Sequence, residues 1–178
     1  LVIAIGLKEH GALSLAEGYY KKAAEEGNKK IANEALFLLG ECEFKLGLIS
    51  EARYAFAGID TSTAYTAAAL KRLAEIDLSQ RNYEGVVTWV EEGRDSYPSE
   101  FEDGWTTYAL STSLLELGRT DEAQSEVNTF GVKHTEQDAW FLLARAALEA
   151  KQAKDLYPEA AEKNERKLAA AADKAENQ

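Results

Sequence analysis

Gly47-Leu48-Ile49-Ser50-Glu51-Ala52 returns three more times along the chain in altered form. The related blocks are Gly11-Ala12-Leu13-Ser14-Leu15-Ala16, Arg81-Asn82-Tyr83-Glu84-Gly85-Val86 and Gly118-Arg119-Thr120-Asp121-Glu122-Ala123. Their last residues stand at positions 16, 52, 86 and 123, intervals of 36, 34 and 37. A period of that size marks a stack of supersecondary units. Amphipathic stretches flank each block, so each unit reads as helix, tight turn, helix. A glycine that opens the turn adopts positive φ without steric cost and ends the first helix. The small residue that closes the block lets the two helices approach closely.

Composition narrows the rest. The 178 residues suit one domain, and 46% hydrophobic with 29% charged residues describes a folded, well-hydrated chain. Only Pro98 and Pro158 interrupt helix formation. A net charge of −11 leaves no basic face for a nucleic-acid backbone and favours a basic partner. Cys42 is the single cysteine, so an internal disulfide and a thiolate metal cage are excluded. The opening Leu-Val-Ile-Ala-Ile-Gly is too short to span a bilayer, and no membrane insertion is expected. The absence of an initial methionine predicts a processed or clipped chain.

The first helices carry their own recurring signature. Ala35-Leu36-Phe37-Leu38-Leu39-Gly40 leads to Gly47, and Ala69-Leu70-Lys71-Arg72-Leu73-Ala74 leads to Arg81. Tyr108-Ala109-Leu110-Ser111 leads to Gly118. With Leu39-Gly40, Gly47, Ala52 and Phe56 in one unit and Leu73-Ala74, Tyr83, Val86 and Pro98 in the next, the chain resembles the tetratricopeptide-repeat family. Departures from that pattern are Arg81 for glycine, Thr120 for tyrosine and Val86 for alanine, which predict looser individual turns.

The resemblance implies an all-α, right-handed solenoid of antiparallel helix pairs over residues 1–178. Residues 1–28 form a partial first unit, and 29–61, 62–99 and 100–134 are full repeats. Residues 135–178 hold the last repeat, whose second helix opens at Tyr157-Pro158, and a C-terminal capping helix. The expected buried set is Leu36, Leu39, Leu46, Phe56, Leu70, Leu73, Leu110, Leu114, Val127 and Leu143. Asn33-Glu34-Ala35-Leu36-Phe37-Leu38-Leu39-Gly40-Glu41-Cys42 and Tyr97-Pro98-Ser99 also resemble bacterial cell-envelope repeat proteins of the Tol-Pal coordinator and outer-membrane assembly lipoprotein kind. That likeness points toward the periplasm. Tyr19-Tyr20-Lys21-Lys22-Ala23-Ala24-Glu25-Glu26-Gly27-Asn28 resembles a junction of another class of short helical repeats.

No residue pattern supports catalysis or a cofactor. His10 and His134 belong to no His-Glu-x-x-His pair, and the phosphate-binding, dinucleotide and calcium-loop patterns are absent. Cys42 sits mid-helix and reads as a buried structural thiol. Function in the family implied by the resemblance lies on the surface lined by first helices. By the repeat register that surface carries Phe37, Glu41, Phe44 and Lys45, then Lys71, Glu75 and Leu78, then Trp105, Tyr108, Thr112 and Leu115. Asp138, Phe141, Arg145 and Glu149 complete it, whereas Trp89 and Trp140 read as structural. The expected ligand is another protein, held as an extended segment or amphipathic helix. Phe37, Glu41, Lys71, Glu75, Trp105 and Tyr108 do not supply the lysine, asparagine and arginine clamp by which one subtype holds a terminal carboxylate. A component of envelope assembly and a regulatory domain of a larger enzyme are the alternative readings. Self-association through apolar Val2, Ile3, Ile5 and Leu7 of the first unit is a further expectation.

Overall fold

Four residues in the left-handed region decide where helices stop. The computed structural model describes residues 1–9, 11–133 and 138–158. In it Gly11, Gly47, Arg81 and Gly118 have φ of 78°, 77°, 59° and 75°. Each donates its N–H to a carbonyl three residues back, and the following residue donates to a carbonyl five back. Gly47 N–H reaches Phe44 O at 3.1 Å and Leu48 N–H reaches Glu43 O at 2.9 Å. The pairs Gly11–Lys8 with Ala12–Leu7, Arg81–Leu78 with Asn82–Asp77, and Gly118–Leu115 with Arg119–Leu114 repeat that geometry at 2.8–3.1 Å. Two orphan carbonyls per helix are satisfied in this way. Arg81 makes the same bonds as the glycines, so its turn is not looser as expected. It is instead strained, because a left-handed residue with a Cβ costs about 1–2 kcal/mol.

These turns separate α1 (Val2–Glu9) from α2 (Leu13–Glu26), and α3 (Lys29–Lys45) from α4 (Ile49–Ala57). They likewise separate α5 (Thr66–Ser79) from α6 (Tyr83–Ser96), and α7 (Gly104–Glu116) from α8 (Thr120–Lys133). A short 3-10 turn, Pro98–Phe101, precedes α7, and α9 spans Ala139–Leu156. The protein is all-α, with no strand among the described residues. Each helix packs on the next in sequence, and α5 also meets α7 while α7 meets α9.

The residue closing each recurring block is buried: Ala16, Ala52, Val86 and Ala123 are all at 0% exposure. Close approach is likewise built in at Gly40, where an added Cβ would stand 2.7 Å from the Phe56 ring. Leu39, Phe56, Leu70, Leu73, Leu110, Leu114 and Val127 are buried as expected, while Leu36 and Leu46 are half-buried. Asp77, 1% exposed, ties three helices together. It accepts hydrogen bonds from Arg53 of α4 and, at 2.6 Å, from the Trp89 indole of α6.

In α9 the register differs from expectation. Phe141, Ala144 and Leu148 face the core, whereas Leu143 is 51% exposed. Phe141 packs on Phe130 with ring centroids 5.3 Å apart and covers Gly131. Residues three and seven positions beyond Phe141 share its face, and Leu143, two positions on, points away. Tyr157, where the second helix was expected to open, instead caps α9 through its N–H to Ala153 O, and the rest of that expected helix and the capping helix, from 159 onward, lie outside the described residues. No helix of the described residues is long and apolar enough to cross a membrane. At the other end Val2 and Ile3 of α1 are exposed while Ala4 is buried.

Strain at Arg81 makes a prediction of opposite signs. Arg81→Gly raises stability by about 1 kcal/mol, and Gly47→Ala lowers it by about the same amount. Urea unfolding midpoints of the two variants measure both.

Candidate functional site

One face is built from alternate helices. On α3, Phe37, Glu41 and Phe44 recur at helical spacing, and on α5, Ala68, Lys71, Arg72 and Glu75 do the same. A groove of about 450 Å³ joins them to α7 and α9, lined by Phe37, Ala68, Lys71, Arg72, Glu75, Asp103, Trp105 and Trp140. Three aromatic walls therefore come from three different helices. Phe37 is braced from behind by Tyr65, stacked at 5.5 Å, and by Phe56 at 5.8 Å. Trp140 rests on Tyr108, with centroids 5.2 Å apart.

The floor is ionic and internally paired. Arg72 engages Glu41 in a two-pronged contact, Nε to Oε1 at 2.5 Å and Nη2 to Oε2 at 3.2 Å. Its Nη1 also reaches Glu75 at 2.6 Å, and the guanidinium lies 5.9 Å from the Phe44 ring centroid. Burial pulls the Arg72 pKa down, but hydrogen bonds to Glu41 and Glu75 outweigh it and the net shift is upward. Such a fork fixes direction as well as charge. Lys71 pairs with Asp103 and lies 5.4 Å from the Phe101 ring centroid.

Asp103 has a second task, because its Oδ1 accepts the Thr106 N–H at 2.7 Å and so caps α7. Burial raises its pKa, but the Lys71 bond and the Thr106 N–H lower it by more, leaving it below the usual aspartate value. The next residue, Gly104, leaves room for Asp138: an added Cβ would stand 2.1 Å from the Asp138 carboxylate. Asp138 in turn caps α9 by accepting from Trp140 N at 2.9 Å and Phe141 N at 3.1 Å. A missing side chain on α7 thus seats the cap that presents Trp140 to the groove.

Of the residues expected on the binding face, the structure brings Phe37, Lys71, Glu75 and Trp105 into the groove wall. Glu41, Phe44 and Tyr108 stand behind it, holding Arg72 and Trp140. Three of the expected residues lie elsewhere. Phe141 is buried against Phe130 and does not line the groove. Arg145 lies in a separate depression between α8 and α9, bonded to Glu149 at 3.0 Å. Leu115 is also core rather than surface. Trp140, read as structural, takes the groove position where Phe141 was expected. Arg72 and Asp103 were missed as well. A serviceable signal existed for Asp103, since Asp103-Gly104 before an apolar run is a helix-start pattern.

Catalytic features are sparse among the described residues. Cys42 is fully buried with its thiol directed at Leu13 O, 3.2 Å away, and burial pushes its pKa up. That setting favours the protonated thiol over a nucleophilic thiolate. No group of three or more His, Cys, Asp or Glu could hold a metal ion among the described residues. His10 and His134 lie outside them. No family model matches the chain, and no curated protein matches it.

Asp103 separates capping from ion pairing by mutation. Asp103→Asn keeps a capping side chain and costs less than about 1 kcal/mol, the scale of a part-exposed pair. Asp103→Ala loses both roles and costs about 1–2 kcal/mol. Because the folded pKa is depressed, the charge contribution is present above the ordinary aspartate value of 3.8 and lost as pH falls through the folded value. The stability gap between wild type and Asp103→Asn therefore narrows in acid, which urea titrations at stepped pH measure.

Proposed function

We propose that this chain is a tetratricopeptide-type interaction module whose helices form a right-handed superhelix of antiparallel pairs. It holds a segment of another protein, extended or as an amphipathic helix, across α3, α5, α7 and α9. The observation that carries this reading is the groove itself, with Phe37, Trp105 and Trp140 from three helices facing one space of about 450 Å³. Recurrence of one turn geometry at Gly11, Gly47, Arg81 and Gly118 supports a repeat architecture. Aromatic walls supply apolar contact area at little entropic cost, and hot-spot residues are of this type.

Because Lys71 and Arg72 already have carboxylate partners, the groove has little unspent positive charge. With a chain charge of −11, it selects an apolar or aromatic anchor flanked by basic residues. The role is that of an adaptor, scaffold or assembly factor acting without a cofactor. Fold alone does not dictate function, and the weight rests on the groove.

Selection of binders from a random peptide library, followed by anisotropy titration of labelled winners, tests the proposal. The expected winners carry an aromatic or large aliphatic anchor. Trp105→Ala and Trp140→Ala, each with unchanged helicity, weaken binding about 30-fold, the equivalent of roughly 2 kcal/mol for an anchor. Winners whose affinity is indifferent to both substitutions sink the groove reading.

A further inference from the structure

A second concavity, of about 640 Å³, lies between α2, α3 and α4 and shares no residue with the groove. Lys21, Ala24 and Glu25 line it from α2, Leu36, Leu39 and Glu43 from α3, and Glu51, Tyr54 and Ala55 from α4. Glu43 is the unusual member. Its side chain is 2% exposed, yet Oε2 has no hydrogen-bond partner. The other oxygen, Oε1, is 3.4 Å from Lys21 Nζ, a loose contact. Lys21 is committed elsewhere, to Glu17 at 2.6 Å, and is about half exposed. Burial pushes the Glu43 carboxyl up, ahead of the opposing pull of Lys21.

A buried carboxylate with an open oxygen costs stability unless something pairs with it. A cationic donor is the strongest partner for such a group, and the surroundings favour one. Glu17, Glu25 and Glu51 stand near Glu43, with Lys21 the one cation among the lining residues. Leu36, Leu39, Ala24 and Ala55 supply walls for an alkyl stem. Tyr54, 83% exposed, offers an aromatic face at the rim. Apolar walls leading to a buried carboxylate match a long side chain with a charged end. A planar guanidinium is less hydrated than an ammonium, pairs with carboxylates by parallel hydrogen bonds and stacks on aromatic rings.

We propose that this pocket receives the arginine side chain of a partner protein, its guanidinium pairing with Glu43 and its stem lying along Leu36 and Leu39. The incoming group replaces the loose Lys21 contact, and Lys21 stays on Glu17. This site stands independently of the aromatic groove and would give the module a second point of purchase on a basic partner.

Nα-acetyl-arginine amide is the probe, titrated into the full chain and followed by methyl resonances of Leu36, Leu39 and Ala55. Saturable shifts with a dissociation constant on the order of 1 mM are expected for a ligand this small. Glu43→Gln, with helicity and unfolding midpoint retained, is expected to abolish them. Lys21→Met, at a half-exposed position, is expected to tighten binding several-fold. It carries the test alone should Glu43→Gln fail to fold. Trp105→Ala is expected to leave the titration untouched, which separates this site from the groove. Equal binding of the norleucine analogue would reveal an apolar cavity and overturn the proposal. Equal binding of the lysine analogue overturns the guanidinium assignment. Shifts that survive Glu43→Gln, no response to Lys21→Met, or no saturable shift in wild type each overturn the site.

Discussion

An α-helix leaves its last carbonyls without intrahelical donors, and a fold made of many short helices meets that constraint at every turn. Here the left-handed residues at 11, 47, 81 and 118 meet it the same way, each placing two N–H groups on the carbonyls of the helix just ended. Chain reversal takes three residues, so the small residue five positions further on lands against the preceding helix. That is why Ala16, Ala52, Val86 and Ala123 are fully buried. Were the turns longer or variable, the faces of α3, α5 and α7 would not fall into one surface. The groove is a consequence of turn geometry before it is a consequence of aromatic side chains.

Within that groove, order comes from charge. Arg72 is held by two carboxylates and Lys71 by one, so the chain's own side chains set the floor. Such part-exposed pairs add little stability singly. Their effect is on shape, because they keep long side chains from collapsing into the space between Phe37, Trp105 and Trp140. Asp103 illustrates the economy of the arrangement, since one carboxylate caps α7 and anchors Lys71.

Glycine and the small closing residue made the helix-turn-helix period legible, because each reflects a backbone or packing demand that few residues meet. Arg81 was harder to read: nothing in an arginine announces a left-handed backbone, and only its alignment with Gly47 locates it. In α9 the run Trp140-Phe141-Leu142-Leu143 offers apolar side chains in every direction, so periodicity leaves its rotation open by one residue. Packing of Phe141 on Phe130 decides it, and that contact depends on α8. Arg72 and Glu43 were missed for another reason. A charged residue on an amphipathic helix reads as solvated, and only neighbouring helices turn one into a groove strut and the other into a buried carboxylate.

Three tryptophans divide between interior and groove. Trp89 gives its indole N–H to the buried Asp77 carboxylate, whereas Trp105 and Trp140 border open space. An indole bonded to a sequestered charge and one meeting water emit differently, so the chain carries two built-in optical channels. One follows loss of the interior, and the other follows whatever enters the groove.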